Sequence, residues 1–399
     1  MGLLFLSIGL GYLGDNLFLC KINGYKVAII RVDNIQPDML RWAFMRAGYV
    51  EEKAVEVFPL LADWLSGKKK PTTNQLQNFA KKFHVPLGYL FLNRAPEEKI
   101  PFPMFRGNAA VANHFDLNVY DTVTAISTRQ SWLEDYLVEN DIETCQLVST
   151  ISAQTPIADA VSKLRLALRL EPRWAFSLTT PDAAVSTLTQ RLEDIGIFVA
   201  YNGVVGNNTH RKLKVSECRG FALVNDKAPY IFVNSDDSKS AQLFTLIHEA
   251  AHIMMGVSAG HAGEETIYQD VYEHYCDRMA AEFLVPAEVL RTIWDGNIKK
   301  ISLRFKVSEI VVARRAHDIG LLTNDEYRDF WLEYSHRPIK EKKKSSGGDF
   351  FLTSVKRVGK LFAIHVRNAV NNRQLSYTEA YRLTGLHGST YQHFMKNNI

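Results

Sequence analysis

Cysteine is scarce and scattered: the four present, Cys20, Cys145, Cys218 and Cys276, form no C-x-x-C pair. That argues against a disulfide scaffold and a cysteine-built zinc site, and makes a reducing cytoplasm the expected compartment. Neither sign of charge dominates. With 47 Lys and Arg against 43 Asp and Glu, the formal net is +4, so no global field draws the chain to nucleic acid or to acidic partners. Any such attraction must come from local patches, of which two stand out, GKKK at Gly67–Lys70 and KEKKK at Lys340–Lys344.

The opening run MGLLFLSIGLGYLGDNLFLCK lacks what export requires, a positively charged start: its first charge is Asp15 and its first lysine Lys21. A spanning helix needs about 20 apolar residues. Here Asp15 and Asn16 interrupt the run, and Gly9, Gly11 and Gly14 weaken it as a helix. It is read as an extra strand, a hairpin or a misassigned start, with membrane attachment or export as the rival reading; no membrane partner is expected.

A chain of 399 residues exceeds what one compact core usually holds, so two or three domains are expected. From Pro37 to Leu92 the pattern is short helices with tight punctuation. PDMLRWAFMRAG places Leu40, Ala43, Phe44 and Ala47 on one face and stops at Gly48, a second helix ends at Ser66-Gly67, and TNQLQNFAKKFHVP closes before Pro86. Pro-rich RAPEEKIPFPMFR reads as a linker. Two longer helical stretches follow, Asp121 to Asn140 and one beginning IADAVSKLRLALRL. Then the period shortens: GIFVAYNGVV, RGFALVN and PYIFVNS are β-branched, apolar runs split by Asn, Gly, Asp and Pro, the pattern of a small sheet. KEKKKSSGGDF is a flexible boundary, and the last fifty residues return to helix. The fold class is α+β and mostly helical.

The chemistry concentrates in FTLIHEAAHIMMG, Phe244 to Gly256. On a helix His248 and His252, four apart, present imidazole nitrogens to one point, while Glu249, one step round, misses that point and reaches a water beside it. A tetrahedral catalytic metal needs a third protein ligand. Glu273 is the best candidate, because EHYCD sets a carboxylate one helical turn before Asp277; His261 and His274 are rivals. Asp277 suits a partner that orients one of the histidines. Glu249 would accept the water's proton and pass it to the leaving amine. Zinc is the expected ion, although two imidazoles and a carboxylate also suit manganese or iron(II). His261, Tyr268, Tyr272, His274 and Arg219 are candidates to polarise the scissile carbonyl. RGFALVN is the expected sheet edge for an extended substrate.

The run from GFALVN through PYIFVNS, FTLIHEAAHIMMG and EHYCDRMAAEFLVP resembles the ImmA/IrrE family of zincin-like metallo-endopeptidases over roughly Ile157 to Gly320. That family follows its HExxH helix with Glu, two variable residues, a small residue, Asn, a Phe-Ala-Ala-like core and a proline. Glu273, Cys276, Asp277, Met279, Ala280, Ala281 and Pro286 fill those places, with Asp where Asn is commoner. The resemblance implies zinc ligands at His248, His252 and Glu273 and a catalytic base at Glu249.

ADWLSGKKKPTTNQLQNFAKKFHVPLGYLF is similar to the second half of a Cro/repressor-type (XRE) helix-turn-helix domain, with Trp64, Gly67, Pro71, Leu76 and Ala80 in the expected places. The first half departs: AVEVFPLLAD offers Glu56, Pro59 and Asp63 where a reading helix exposes base-contacting side chains. Lys68, Lys69 and Lys70 are the evidence for DNA.

The expected divisions are an apolar extension at 1–30, a helix-turn-helix-like domain at 31–93, linker and helices at 94–155, the zincin-like domain at 156–338, a flexible basic linker at 339–348 and a C-terminal helical domain at 349–399. The leading expectation is an intracellular zinc endopeptidase acting on a protein substrate, a repressor or toxin-type regulator, with the N-terminal module docking DNA or protein. The alternative is a DNA-binding regulator or antitoxin of a toxin–antitoxin or phage-type module, whose metal site is structural or sensory.

Overall fold

The computed structural model describes residues 18–22, 25–29, 31–98, 104–105, 116–261, 271–337 and 349–399. The first 17 residues, part of the Pro-rich linker, Tyr268 and the basic linker at 339–348 lie outside them. The chain divides into two compact units, Met1–Lys99 and Ile100–Ile399. Among the described residues no helix is long and apolar enough to cross a membrane.

In the first unit, β1 (Phe18–Ile22) and β2 (Tyr25–Ile29) pair as an antiparallel hairpin. The helices α1 (Pro37–Arg46), α2 (Glu51–Val57), α3 (Leu60–Leu65) and α4 (Thr73–Lys82) follow, with a 3₁₀ turn at Leu87–Phe91. The punctuation is local chemistry. Gly48 and Gly67 take left-handed φ values after α1 and α3. Thr72 and Gln75 form a reciprocal capping box on α4. VFPLLADWL makes two helices rather than one, because Pro59 has no amide hydrogen to continue the first. Phe44, Trp64, Phe79 and Phe83 fill the centre, packed by the half-buried Phe58.

The second unit is built on a five-stranded sheet in the order β3-β9-β7-β8-β4. In chain order its elements begin with β3 (Met104–Phe105), α5 (Leu117–Glu139), α6 (Ile157–Leu168), α7 (Pro181–Asp194) and β4 (Phe198–Asn202). A small antiparallel pair, β5 (Val204–Val205) and β6 (Asn208–Lys212), precedes β7 (Gly220–Leu223), β8 (Tyr230–Asn234), α8 (Lys239–Met255), β9 (Ala259–His261) and α9 (Val271–Leu284). Then come α10 (Ala287–Ile293), α11 (Ile298–Phe305), α12 (Glu309–Asp318), α13 (Asn324–Ser335), α14 (Phe350–Val358), α15 (Lys360–Asn371), α16 (Tyr377–Thr384) and α17 (Gly388–Asn397). β4 runs parallel to β8, and β7 is antiparallel to both its neighbours, β8 and β9.

Every residue of β4, β7 and β8 is buried, because helices cover both faces. Side chains alternate between two cores as the strand period dictates. Val199, Tyr201, Ala222, Ile231 and Val233 join the core that α6 to α12 complete. Phe198, Ala200, Phe221, Leu223, Tyr230 and Phe232 join a second core shared with α5 and α14 to α17. The C-terminal residues 349–399 therefore close the far face of the same sheet. At the joint between α14 and α15, Gly359 adopts φ +88°, and a Cβ there would lie 2.6 Å from the Val199 carbonyl oxygen, so only glycine lets the joint lie on β4.

Glu193, at the end of α7, accepts the Leu361 N–H at 3.1 Å and so satisfies an amide in the first turn of α15. Burial pushes its carboxyl up from 4.5 to about 7, against the lowering by that bond and by Lys360. Between those two values the folded chain holds a proton the unfolded chain has released, so stability falls as pH rises through this window. Glu193→Gln keeps an acceptor and removes the proton. Urea denaturation of the variant between pH 5 and 8 should show a flatter loss of stability than wild type; identical slopes would remove Glu193 as the cause.

Candidate metal centre

The metal-bearing helix is α8, and its ends are fixed before its middle can be placed. Ser238 caps the start, accepting the Ala241 amide at 3.2 Å. Gly256, at φ +76°, turns the chain out of the last turn. The carbonyls of Ile253 and Met254 accept amides from Ser149, Thr150 and Ile151 at 2.7–3.1 Å, so the buried end leaves no orphans there. Leu243, Leu246, Ile247, Ala250, Ala251, Ile253 and Met254 pack into the core around it. From Thr245 to Met255 the helix is buried on all sides, and that stretch carries three ionisable residues.

Those residues converge with a second helix. His248 and His252 are each 1% exposed, Glu249 is 0% and Glu273, on α9, is 3%. His248 Nε2 lies 3.2 Å from His252 Nε2 and 3.1 Å from Glu273 Oε2, and His252 Nε2 lies 3.0 Å from Glu273 Oε1. On the other side of the His248 ring, Nδ1 is 2.8 Å from Asp277 Oδ1. A carboxylate can only accept, so Nδ1 carries the hydrogen toward Asp277; Nε2 faces Glu273, also an acceptor, and so carries a proton in the metal-free site or gives its lone pair to a cation. Burial lowers the His248 pKa, but Asp277 and Glu273 together hold it well above the ordinary value.

These distances fit a metal ion. A tetrahedral ion held at about 2.0–2.2 Å separates its donors by roughly 3.3–3.6 Å, a few tenths of an ångström more than the 3.0–3.2 Å seen between these nitrogens and the Glu273 oxygens. Two imidazole lone pairs facing each other repel unless a cation or proton lies between them. Glu249 strengthens the case: both its oxygens are buried and complete no hydrogen bond. Burial pushes its carboxyl up to about 8, against the lowering by the charge of His248. A buried carboxylate with no partner is expensive, and a nearby dication and its water would relieve it.

Cys276 enters the same cluster. Its Sγ and one nitrogen from each of His248 and His252 lie within 4.8 Å of one another, and it is fully buried. The exclusion of cysteine drawn from the missing C-x-x-C pair therefore does not reach this residue. The overlooked signal was its place one turn after Glu273 on α9. Glu273 forms the tighter set, because its two oxygens reach both Nε2 atoms and bring negative charge to a cation.

Other residues singled out in the sequence are placed differently. RGFALVN is not a sheet edge: β7 is hydrogen-bonded on its outer side to β9, with Gly220 opposite His261, and β3 pairs beyond that. The chain's own three-residue strand after α8 covers the position, which periodicity within β7 could not reveal. His261 belongs to that strand. His274 and Tyr272 are exposed on α9, away from the face that carries Glu273. Arg219 is held 3.7 Å from Asp237. In the first unit Lys69 pairs with Asp63 at 2.8 Å and Lys70 with Asp33 at 2.5 Å, so carboxylates of the same module face two of the three lysines.

Residues 192–317 match the Peptidase_M78 family model, the IrrE N-terminal-like domain. This segment carries the metallopeptidase-like domain. It holds β4, β7, β8, α8 and α9 and hence every residue of the cluster, and it supports the ImmA/IrrE resemblance read from the sequence. Residues 358–397 match a domain of unknown function, DUF8813, which corresponds to α15 to α17. No curated protein matches the chain.

Metal analysis tests the donor set. The zinc-loaded wild-type chain should retain about one equivalent through dialysis, and His248→Ala should lose it. Asp277→Ala should weaken binding by about 10- to 100-fold. A Glu273→Gln variant that binds as wild type, with Cys276→Ala losing the ion, would transfer the third position to the thiol.

Proposed function

We propose that this protein is an intracellular zinc-dependent endopeptidase that hydrolyses peptide bonds in a regulatory protein partner. The observation that carries the reading is the meeting of His248, His252 and Glu273 at 3.0–3.2 Å beside a buried, unpartnered Glu249. The match of residues 192–317 to a metallopeptidase family supports it. The buried cysteines Cys145, Cys218 and Cys276, scattered along the chain, suit a reducing interior.

His248, His252 and Glu273 would hold the ion, which supplies Lewis acidity for the scissile carbonyl and acidifies a water. The remaining work belongs to the chain. Asp277 keeps the His248 ring oriented through Nδ1. Glu249 accepts a proton from the attacking water and returns it to the amine nitrogen as the C–N bond breaks, so one water is added across the peptide bond. Its high pKa in the metal-free site is the reason it needs the cation nearby: a positive charge favours the carboxylate and so prepares the base.

The N-terminal module, by the same proposal, docks a protein rather than reading bases. Its α3 exposes Leu60 and Ala62, neither of which can read a base edge by hydrogen bonding, and two of the three loop lysines are paired with Asp63 and Asp33.

Zinc-loaded wild type and Glu249→Gln, compared on a proteome-derived protein library, test the activity. The variant should lose at least about 100-fold in cleavage rate while keeping its metal; equal, background-level patterns from two metal-replete proteins would leave a structural or sensory metal instead. For the module, mobility shifts on genomic fragments should show no sequence preference. Tight, salt-dependent binding of a defined fragment, weakened by replacing Lys68, Lys69 and Lys70 with Ala, would return it to DNA.

A further inference from the structure

A cavity lies away from the metal cluster, where three parts of the second unit meet. Its walls come from α7, from β4 and from the joint between α14 and α15, and it reaches the first turn of α8 at Lys239 and Gln242. It thus bridges the segment matching the peptidase family and the segment matching DUF8813. Its volume is about 220 Å³. An apolar cavity of about 150 Å³ accepts benzene, so this one holds roughly eight to ten non-hydrogen atoms.

The chemistry of the lining is divided. Val185, Val199, Tyr201 and Val355 make an apolar floor, and the Tyr201 hydroxyl is already satisfied by Thr189 at 2.6 Å. Gly359 contributes a wall without a side chain, since its left-handed backbone and the close Val199 carbonyl admit none. The rim is basic: Lys239, Lys356 and Lys360 all line it. One carboxylate, Asp182, lies 3.3 Å from Lys239 and 3.6 Å from Lys356, and Lys360 has no carboxylate within ion-pair distance among the described residues. The other acid in the lining is Glu193, whose burial holds it partly protonated near neutral pH. Lys360, with no carboxylate partner among the described residues, and Lys356, whose ammonium lies 3.6 Å from Asp182, leave the rim positive beside the α14–α15 joint. A cationic ligand is repelled, and a neutral apolar one leaves the rim unused.

We infer that this cavity is a binding site for a small amphiphilic carboxylate, with its apolar body on the Val185, Val199, Tyr201 and Val355 floor and its carboxylate among Lys239, Lys356 and Lys360. The body suits about six to eight carbons by the volume above. The site ties the α14–α15 joint to the helix that carries His248, nine residues beyond Lys239 and so about 13 Å along its axis. Occupancy braces the start of α8 against the C-terminal helices, and a ligand bound only by the folded chain stabilises it.

Sodium octanoate is the probe, titrated calorimetrically into the full-length chain, with octan-1-ol and octylamine as matched controls. Octanoate should bind with a stoichiometry of one and raise the melting temperature, and both controls should bind about tenfold or more weakly. Val355→Trp, which fills the cavity, should abolish binding while leaving metal content unchanged. Lys356→Glu with Lys360→Glu, both exposed and outside the core, should weaken octanoate by about tenfold or more without altering the fold by circular dichroism, and this pair decides the matter if the tryptophan variant misfolds. Octan-1-ol binding as tightly as octanoate, or octanoate binding undiminished in the charge-reversed pair, would overturn the assignment. No detectable heat at millimolar octanoate would do the same. None of these readouts depends on peptidase activity.

Discussion

Burying charge inside an apolar helix is the constraint that organises the second unit. His248, Glu249 and His252 sit in the middle of α8, surrounded by leucine, isoleucine, alanine and methionine, where ionised groups are far less stable than in water. Stability at that place requires that each charge meet a complementary one. Glu273 and Asp277, supplied by α9 at a four-residue spacing, meet His248 on two sides. The balance remains negative, with three carboxylates around two rings, and a dication is the natural remainder. Function and stability therefore make the same demand: the cluster that suits hydrolysis is also a cluster that an apo chain holds at a cost.

The sheet answers a related demand. A helix buried on all sides needs a platform that is itself dry, and β4, β7 and β8 provide one only because α5 and α14 to α17 cover their other face. Residues 349–399 lie far from the peptidase-like segment in sequence, yet they keep water from the strands on which α8 rests. The Gly359 joint and the Glu193 carboxyl, which meet the two sides of that seam, show how tightly it is closed, and the lysine-rimmed cavity shows where it is left open.

Covering of β7 by β9 changes how a substrate is pictured at this site. β7 borders Glu249, since a Cβ on Gly220 would lie 3.5 Å from its Oε1. The strand position alongside is filled by Ala259–His261. An extended segment reaches β7 only by displacing that strand, whereas the outer strand of the sheet is β3.

Local patterning already carried much of this protein. The four-residue spacing of His248 and His252, the i, i+4 relation of Glu273 to Asp277 and the strand-length apolar runs are properties of neighbours along the chain, set by helix and strand geometry, and they were legible as sequence. Periodicity could not show which strand covers which, because pairing partners are chosen by contacts far apart in the chain. Hence β7 read as an edge, Cys276 as one of four scattered cysteines, and Lys69 and Lys70 as part of a basic loop. Only tertiary packing placed β9 against β7, brought a thiol to the histidine pair, set Asp63 and Asp33 against the lysines and closed α14 to α17 over the sheet. Charges and hydrogen-bonding groups distant in sequence meet only when the chain has folded.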